Sequence, residues 1–177
     1  GNNPKKILYV HDKICLGSGE LGMFDERGSM ISCLVKNDKK LFMYYTGWNL
    51  GVDTSYRLAI GLAVSEDNGL TFNRYSNGPI LDRSKYDPAY CCTPYVLIIN
   101  GKWKMWYLSG VKWEIINNHP EPFYHVKYAE SNDGINWVRN GIVSLDFDED
   151  IDAIGNHTVV YEDGIYKMYY SYRNVRD

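Results

Sequence analysis

Lys40-Leu41-Phe42-Met43-Tyr44-Tyr45-Thr46-Gly47-Trp48 returns twice in altered form. The first return is Lys102-Trp103-Lys104-Met105-Trp106-Tyr107-Leu108-Ser109-Gly110, and the second is Ile165-Tyr166-Lys167-Met168-Tyr169-Tyr170-Ser171-Tyr172-Arg173. The anchoring residues Met43, Met105 and Met168 are almost evenly spaced. Their period is about the length of one four-stranded propeller blade with its loops. Ala59–Phe72 and Val126–Trp137 answer each other in the same register, so the repeating unit is larger than a hairpin.

Each unit reads as strand signals separated by turn residues. In the first they are Ser29–Lys36, Lys40–Trp48, Arg57–Ser65 and Leu70–Tyr75. The second holds Thr93–Ile99, Lys102–Ser109, Tyr124–Glu130 and Ile135–Arg139; the third holds only Thr158–Tyr161 and Ile165–Tyr172. The pattern predicts an all-β chain, a partial β-propeller of about two and a half four-stranded blades out of five, with units near 23–78, 84–141 and 148–177. Two and a half blades leave exposed edges, so the expectation is either a piece of a protein of roughly 300 residues or copies that complete one another by self-association.

Composition supports this reading and removes several others. With 45% hydrophobic residues the chain can bury a core, and 16 Tyr and 16 Gly favour pleated surfaces joined by tight turns. A net charge of −3 gives no basic footprint, which argues against nucleic acid or a membrane as partner and for a neutral ligand. No apolar run approaches the roughly 20 residues of a membrane span. The expected location is cytoplasmic, although Gly1 in place of Met leaves room for a removed leader. Cys15, Cys33, Cys91 and Cys92 form no Cys-x-x-Cys pair and read as small packing residues, so neither zinc nor a disulfide framework is expected.

Two local motifs read as scaffold. Ser65-Glu66-Asp67-Asn68-Gly69-Leu70-Thr71-Phe72 matches the Asp box, in which Asp accepts backbone N–H bonds across a hairpin and Gly takes a positive φ; Ser131–Trp137 is a shorter relative. Gly17-Ser18-Gly19-Glu20-Leu21-Gly22 fits a dinucleotide-binding string, but no amphipathic helix follows it, so it reads as a loop.

Asp25, Asp87 and Asp150 stand at one and the same offset before Met43, Met105 and Met168. That position precedes the innermost strand, whose ends converge on one rim of a propeller channel. Three carboxylates could then face one cavity, the arrangement that glycosidic bond cleavage uses. The same spacing equally suits an Asp that caps the turn at each strand entrance. Trp48 and Arg173 share one repeat position, Trp113 lies slightly further along in the second unit, and Tyr86 and Tyr90 flank Asp87; with Arg27 these are the candidate sugar-binding residues.

Phe24-Asp25-Glu26-Arg27-Gly28, the Met-Tyr-Tyr-Thr-Gly-Trp segment, Gly61–Ser65, Tyr86-Asp87-Pro88 and Asp133–Trp137 together resemble the five-bladed propeller glycoside hydrolases of families 43 and 32. The resemblance implies a hydrolase with Asp25 as general base and Asp87 as the orienting, pKa-tuning group. The third position departs from the family: Asp150, with Glu149 beside it, stands where a Glu acid is expected, and Asn156-His157 replaces Arg-Pro. A shift near 1 Å costs roughly 100-fold in rate, so the alternative is a catalytically degenerate propeller that binds carbohydrate or serves assembly. No cofactor is expected; the resemblance allows a structural calcium ion, but no loop spells a calcium site.

Overall fold

The computed structural model describes residues 3–148 and 151–174. Among these residues there are ten strands and no helix. β1 (Gly28–Asn37), β2 (Lys40–Asn49), β3 (Arg57–Ser65) and β4 (Asn73–Arg74) hydrogen-bond in chain order as an antiparallel meander. β5 (Tyr90–Ile99), β6 (Lys102–Ile116), β7 (His119–Ser131) and β8 (Trp137–Leu145) repeat that meander. β9 (Ala153–Glu162) and β10 (Ile165–Arg173) form a hairpin joined to β7 through a single parallel pair, Tyr124 with Ala153. The sheets do not close on themselves, and β10 ends its sheet with Tyr169 and Tyr172 exposed.

Local chemistry explains the hairpins. Asn100-Gly101, Asn117-Asn118 and Asp163-Gly164 each place two successive residues at positive φ. This is the two-residue turn whose twist matches that of the flanking strands, and Asn, Asp and Gly tolerate it best. Because Asn117-Asn118 can make such a turn, the hairpin of β6 and β7 runs well beyond the expected ends at Ser109 and Tyr124. β4 is shorter than the expected Leu70–Tyr75. Thr71 is committed to Asp67 of the preceding turn, and the Phe72 N–H donates to Cys15 O (3.3 Å) instead of extending the ladder.

The core lies between the two meanders. Phe42, Tyr44, Ile60 and Leu62 of the first pack against Val96, Trp103, Met105 and Tyr107 of the second. Buried on both faces, β2 and β3 carry near-continuous apolar runs instead of alternation. The Tyr44 hydroxyl donates to Gly134 O across the interface (2.7 Å), tying the first sheet to a turn of the second. On the outer face of the first sheet, Met43, Tyr45 and Ala63 are covered by Leu16, Phe24 and Phe72.

The two turns containing Asp67 and Asp133 are built from their own side chains. Asp67 accepts from the Thr71 hydroxyl (2.6 Å), the Thr71 N–H (2.9 Å) and Ser65 Oγ (2.7 Å), and these donors hold its carboxyl below the usual range. Desolvation alone would raise Asp133, but bonds from the Asn136 amide and from the Asn136 and Ile135 N–H groups outweigh it and hold this carboxyl low as well.

Candidate functional site

Asp25 and Asp87 occupy equivalent places at the entrances of the two meanders, and each is fully buried. Asp25 Oδ2 accepts from Arg74 Nε (2.9 Å) and the Tyr45 hydroxyl (3.1 Å), and lies 2.7 Å from Arg74 Nη2. Asp87 Oδ1 accepts from Ser109 (2.8 Å) and Tyr107 (3.1 Å), and Oδ2 accepts from Ser84 (2.8 Å) and Arg139 (3.0 Å). The Lys127 ammonium sits 3.7 Å from Oδ1 and donates to the Tyr86 carbonyl. Burial, together with the neighbouring carboxylate, pushes the Tyr45 and Tyr107 phenols up, so both remain donors.

The recurrence of Asp in the repeat thus has a mechanical content. In each meander the carboxylate ahead of the innermost strand is tied by Arg to the outermost strand, through Arg74 on β4 and Arg139 on β8. Asp25 and Asp87 are each enclosed in their own sheet, and neither lines the aromatic cavity or the two cavities beside Arg57 and Arg83. Each has the cation and donors beside it that a buried carboxylate needs. Glu149 and Asp150 lie outside the described residues. The glycine-rich loop at 17–22 covers Asp25: a Cβ on Gly19 would collide with Oδ1, and the Gly19 N–H donates to Asp25 O (3.0 Å).

Aromatic side chains converge instead where the two meanders meet. Tyr56, in the connection between β2 and β3, is the hub, with ring centroids 5.2 Å from Trp48, 5.8 Å from Tyr90 and 5.1 Å from Trp113. Tyr124 extends the cluster, 6.2 Å from Tyr90. Burial pushes the Tyr56 phenol up to about 12 and raises Tyr90 further, so both act as neutral hydroxyls. A cavity of about 290 Å³ opens beside this cluster, edged by Trp48, Tyr56 and Tyr90 and by the polar groups of Thr46, Thr93 and Asn156. Thr93 has a φ of 47°, a left-handed conformation that a β-branched residue rarely adopts. Its N–H is held by Thr46 Oγ1 (2.8 Å) at a bulge in β5.

The remaining sequence candidates divide. Trp48, Tyr90 and Trp113 are brought together in the cluster. Tyr86 is not: its ring packs over Gly141, where an added Cβ would lie 2.7 Å away. Arg173 is tied to Glu121 (3.1 Å), and Arg27 is exposed, with its N–H donating to Trp48 O (3.1 Å). Sequence reasoning missed Tyr56, Thr93 and Tyr124. Among the described residues no three His, Cys, Asp or Glu side chains gather closely enough to hold a metal ion.

No family model matches the chain. Two uncharacterized proteins of Mycobacterium tuberculosis, from strains CDC 1551 and H37Rv, are each 33% identical over 172 residues, 97% of this chain and 56% of their own length. The chain therefore spans about half the length of the curated relatives it matches. Among solved structures, the GH32 beta-fructofuranosidase BmSUC1 of Bombyx mori superposes with a TM-score of 0.63 at 21% identity, over 78% of this chain and 28% of that one. Sucrose-6-phosphate hydrolase from Lactobacillus gasseri gives 0.64 at 16% identity, over 83% and 28%. A putative glycosidase from Bacteroides thetaiotaomicron gives 0.58 at 20% identity, over 89% and 52%. The fold is propeller glycosidase-like. At these identities the likeness concerns the fold alone.

Proposed function

We propose that this chain is the carbohydrate-binding part of a glycosidase-like propeller, with a sugar lying against the Trp48, Tyr56 and Tyr90 cluster. The observation that carries the reading is the cavity of about 290 Å³, which combines aromatic walls with the polar groups of Thr46, Thr93, Asn156 and Ser171. Sugars present apolar C–H faces to aromatic rings and hydroxyls to such polar groups, and a mostly apolar cleft with a few fixed polar atoms is the usual form of a small-ligand site. A solved mutant of the Bombyx mori neighbour is in complex with sucrose, which is consistent with a carbohydrate ligand here. Among the residues lining this cavity none is Asp or Glu, whereas cleavage needs two carboxyl groups flanking the bond.

Hydrolysis through Asp25 is the second reading. It has one observation in its favour: Asp25 Oδ1 is buried without a hydrogen-bond partner, leaving an acceptor free under Gly19. The deciding experiment pairs glycan binding with hydrolysis of nitrophenyl glycosides for the unmodified chain, Tyr56→Ala and Asp25→Asn. The binding reading expects Tyr56→Ala to weaken glycan binding at least ten-fold, with no turnover in any form. Turnover that disappears in a folded Asp25→Asn variant would reject it in favour of hydrolysis.

A further inference from the structure

Two further cavities, of about 400 and 350 Å³, are both lined by Arg57, Arg83 and Ala89, and the second adjoins the aromatic cluster. Tyr56 and Trp113 line the second of them, and Tyr56 also lines the aromatic cavity, so a single side chain forms a wall of both. The arginine-lined cavity is thus the neighbour of the aromatic one across the Tyr56 side chain.

Arg57 opens β3 opposite Asn49, and Arg83 lies in the segment that leads to β5. Both are exposed. Arg74, Arg139 and Arg173 each hold a carboxylate, but among the described residues no carboxylate oxygen lies within 4.0 Å of Arg57 or Arg83. The acids that share their cavities, Asp53 and Asp82, are not paired with either guanidinium. Asp82 uses Oδ1 on the backbone N–H of Arg83 (2.6 Å), and Asp53 makes no ion pair with either guanidinium. Lys112, in the same cavity as Asp53, is held by Glu114. In a chain whose net charge is −3, two exposed guanidinium groups lining the same cavities and free of any ion pair among the described residues are donors available to a ligand.

We infer that the ligand is an acidic carbohydrate, carrying a phosphate or a carboxylate that Arg57 and Arg83 bind beyond the aromatic cluster. Guanidinium presents paired N–H donors that match the oxygens of either group, and charge-assisted bonds of this kind are about twice as strong as neutral ones. The inference rests on the carbohydrate reading above and adds the charge of the substrate to it. It also revises the expectation of a neutral ligand, which came from the net charge and averaged this site away.

The test is binding to three sets of immobilised glycans, neutral, uronic-acid-containing and phosphorylated, by the unmodified chain, Arg57→Met, Arg83→Met and the double variant. The expected result is preferential binding of one acidic set, which identifies the source of the charge. Each single variant should weaken that binding roughly ten-fold more than it weakens the matched neutral glycan, and the preference should fall as salt rises. Equal binding of neutral and acidic glycans, or arginine variants that leave the preference intact, overturns this inference alone. No binding to any set overturns the carbohydrate reading and this inference with it.

Discussion

Replacing Asp87 by Ala removes the acceptor for Ser84, Tyr107, Ser109 and Arg139 at once. It leaves Lys127 and Arg139, whose side chains are 8% and 20% exposed, without their counter-ion. Breaking a buried pair from one side costs about 3–5 kcal/mol, because the surviving charge stays desolvated. In a chain of this size that corresponds to a fall in Tm of roughly 6–20 °C. Asp87→Asn keeps the shape but exchanges a charged acceptor for a neutral one and adds two N–H donors facing existing donors, so its cost is smaller, about 2–3 kcal/mol. Asp25→Asn should cost less again, since among the described residues only Tyr45 and Arg74 donate to that carboxylate. The assay is urea unfolding followed by tryptophan fluorescence and far-ultraviolet circular dichroism, with the slope of the transition checked for constancy so that a shifted midpoint reports stability. Asp87→Asn within about 0.5 kcal/mol of the unmodified chain, a change typical of neutral surface substitutions, would refute the claim that this carboxylate ties the inner strand to the outer one.

Two other perturbations test neighbouring parts of the fold. Gly61→Ala would drive a Cβ into Cζ of the fully buried Tyr45, whose hydroxyl serves Asp25; overpacking of this kind costs about 1–3 kcal/mol, read as a lower urea midpoint, and an unchanged midpoint would contradict the packing described. His157 is buried with Nε2 on Trp106 O (3.1 Å), and desolvation holds its pKa below the ordinary 6.5 despite that bond. The unfolded chain then binds the proton first, so stability is complete above about 6.5 and is lost as pH falls from there towards the lowered folded value; a His157→Gln variant should lose less over that window in pH-dependent unfolding, and an identical slope in both forms would exclude His157 as the cause.

The architecture was legible because a sheet advertises itself locally. Alternating and continuous apolar runs, closed by Asn-Gly and Asp-Gly turns, located at least part of each strand among the described residues. The failures were of two kinds. β4 shrank because a side-chain-bonded turn consumed the residues before it, a competition that propensity does not register. The meaning of the repeated Asp was hidden because its partner arrives across the sheet: Arg74 follows Met43 at a shorter interval than Arg139 follows Met105. A search at fixed offsets finds the carboxylates and passes over the arginines that explain them. Tyr56 was invisible for a related reason, since it lies in a connection between strands that the second unit replaces with the tight Asn117-Asn118 turn.

Every sheet must anchor its innermost strand, turn its hairpins and fill the same interior, so the residues that do this recur at matching positions. The aromatic cavity draws on both kinds of residue: Met30, Cys92 and Gly155, and Thr46, Leu108 and Ser171, stand at matching offsets from Met43, Met105 and Met168, whereas Tyr56 does not recur. Thr93 stands at a repeated offset with an unrepeated conformation. The residues at its offset before Met43 and Met168 are Ile31 and Asn156, and neither has a positive φ. A left-handed β-branched residue costs about 1–3 kcal/mol and persists only where its surroundings impose it, here through the bond from its N–H to Thr46. That conformation accompanies the bulge in β5 and sets Thr93 into the wall of the aromatic cavity. Tyr56, Arg57, Arg83 and Trp113 have the same unrepeated character and adjoin the same place. Under the proposed carbohydrate reading, these unrepeated residues at the junction of the two meanders are the ones whose substitution should change binding without unfolding the sheets.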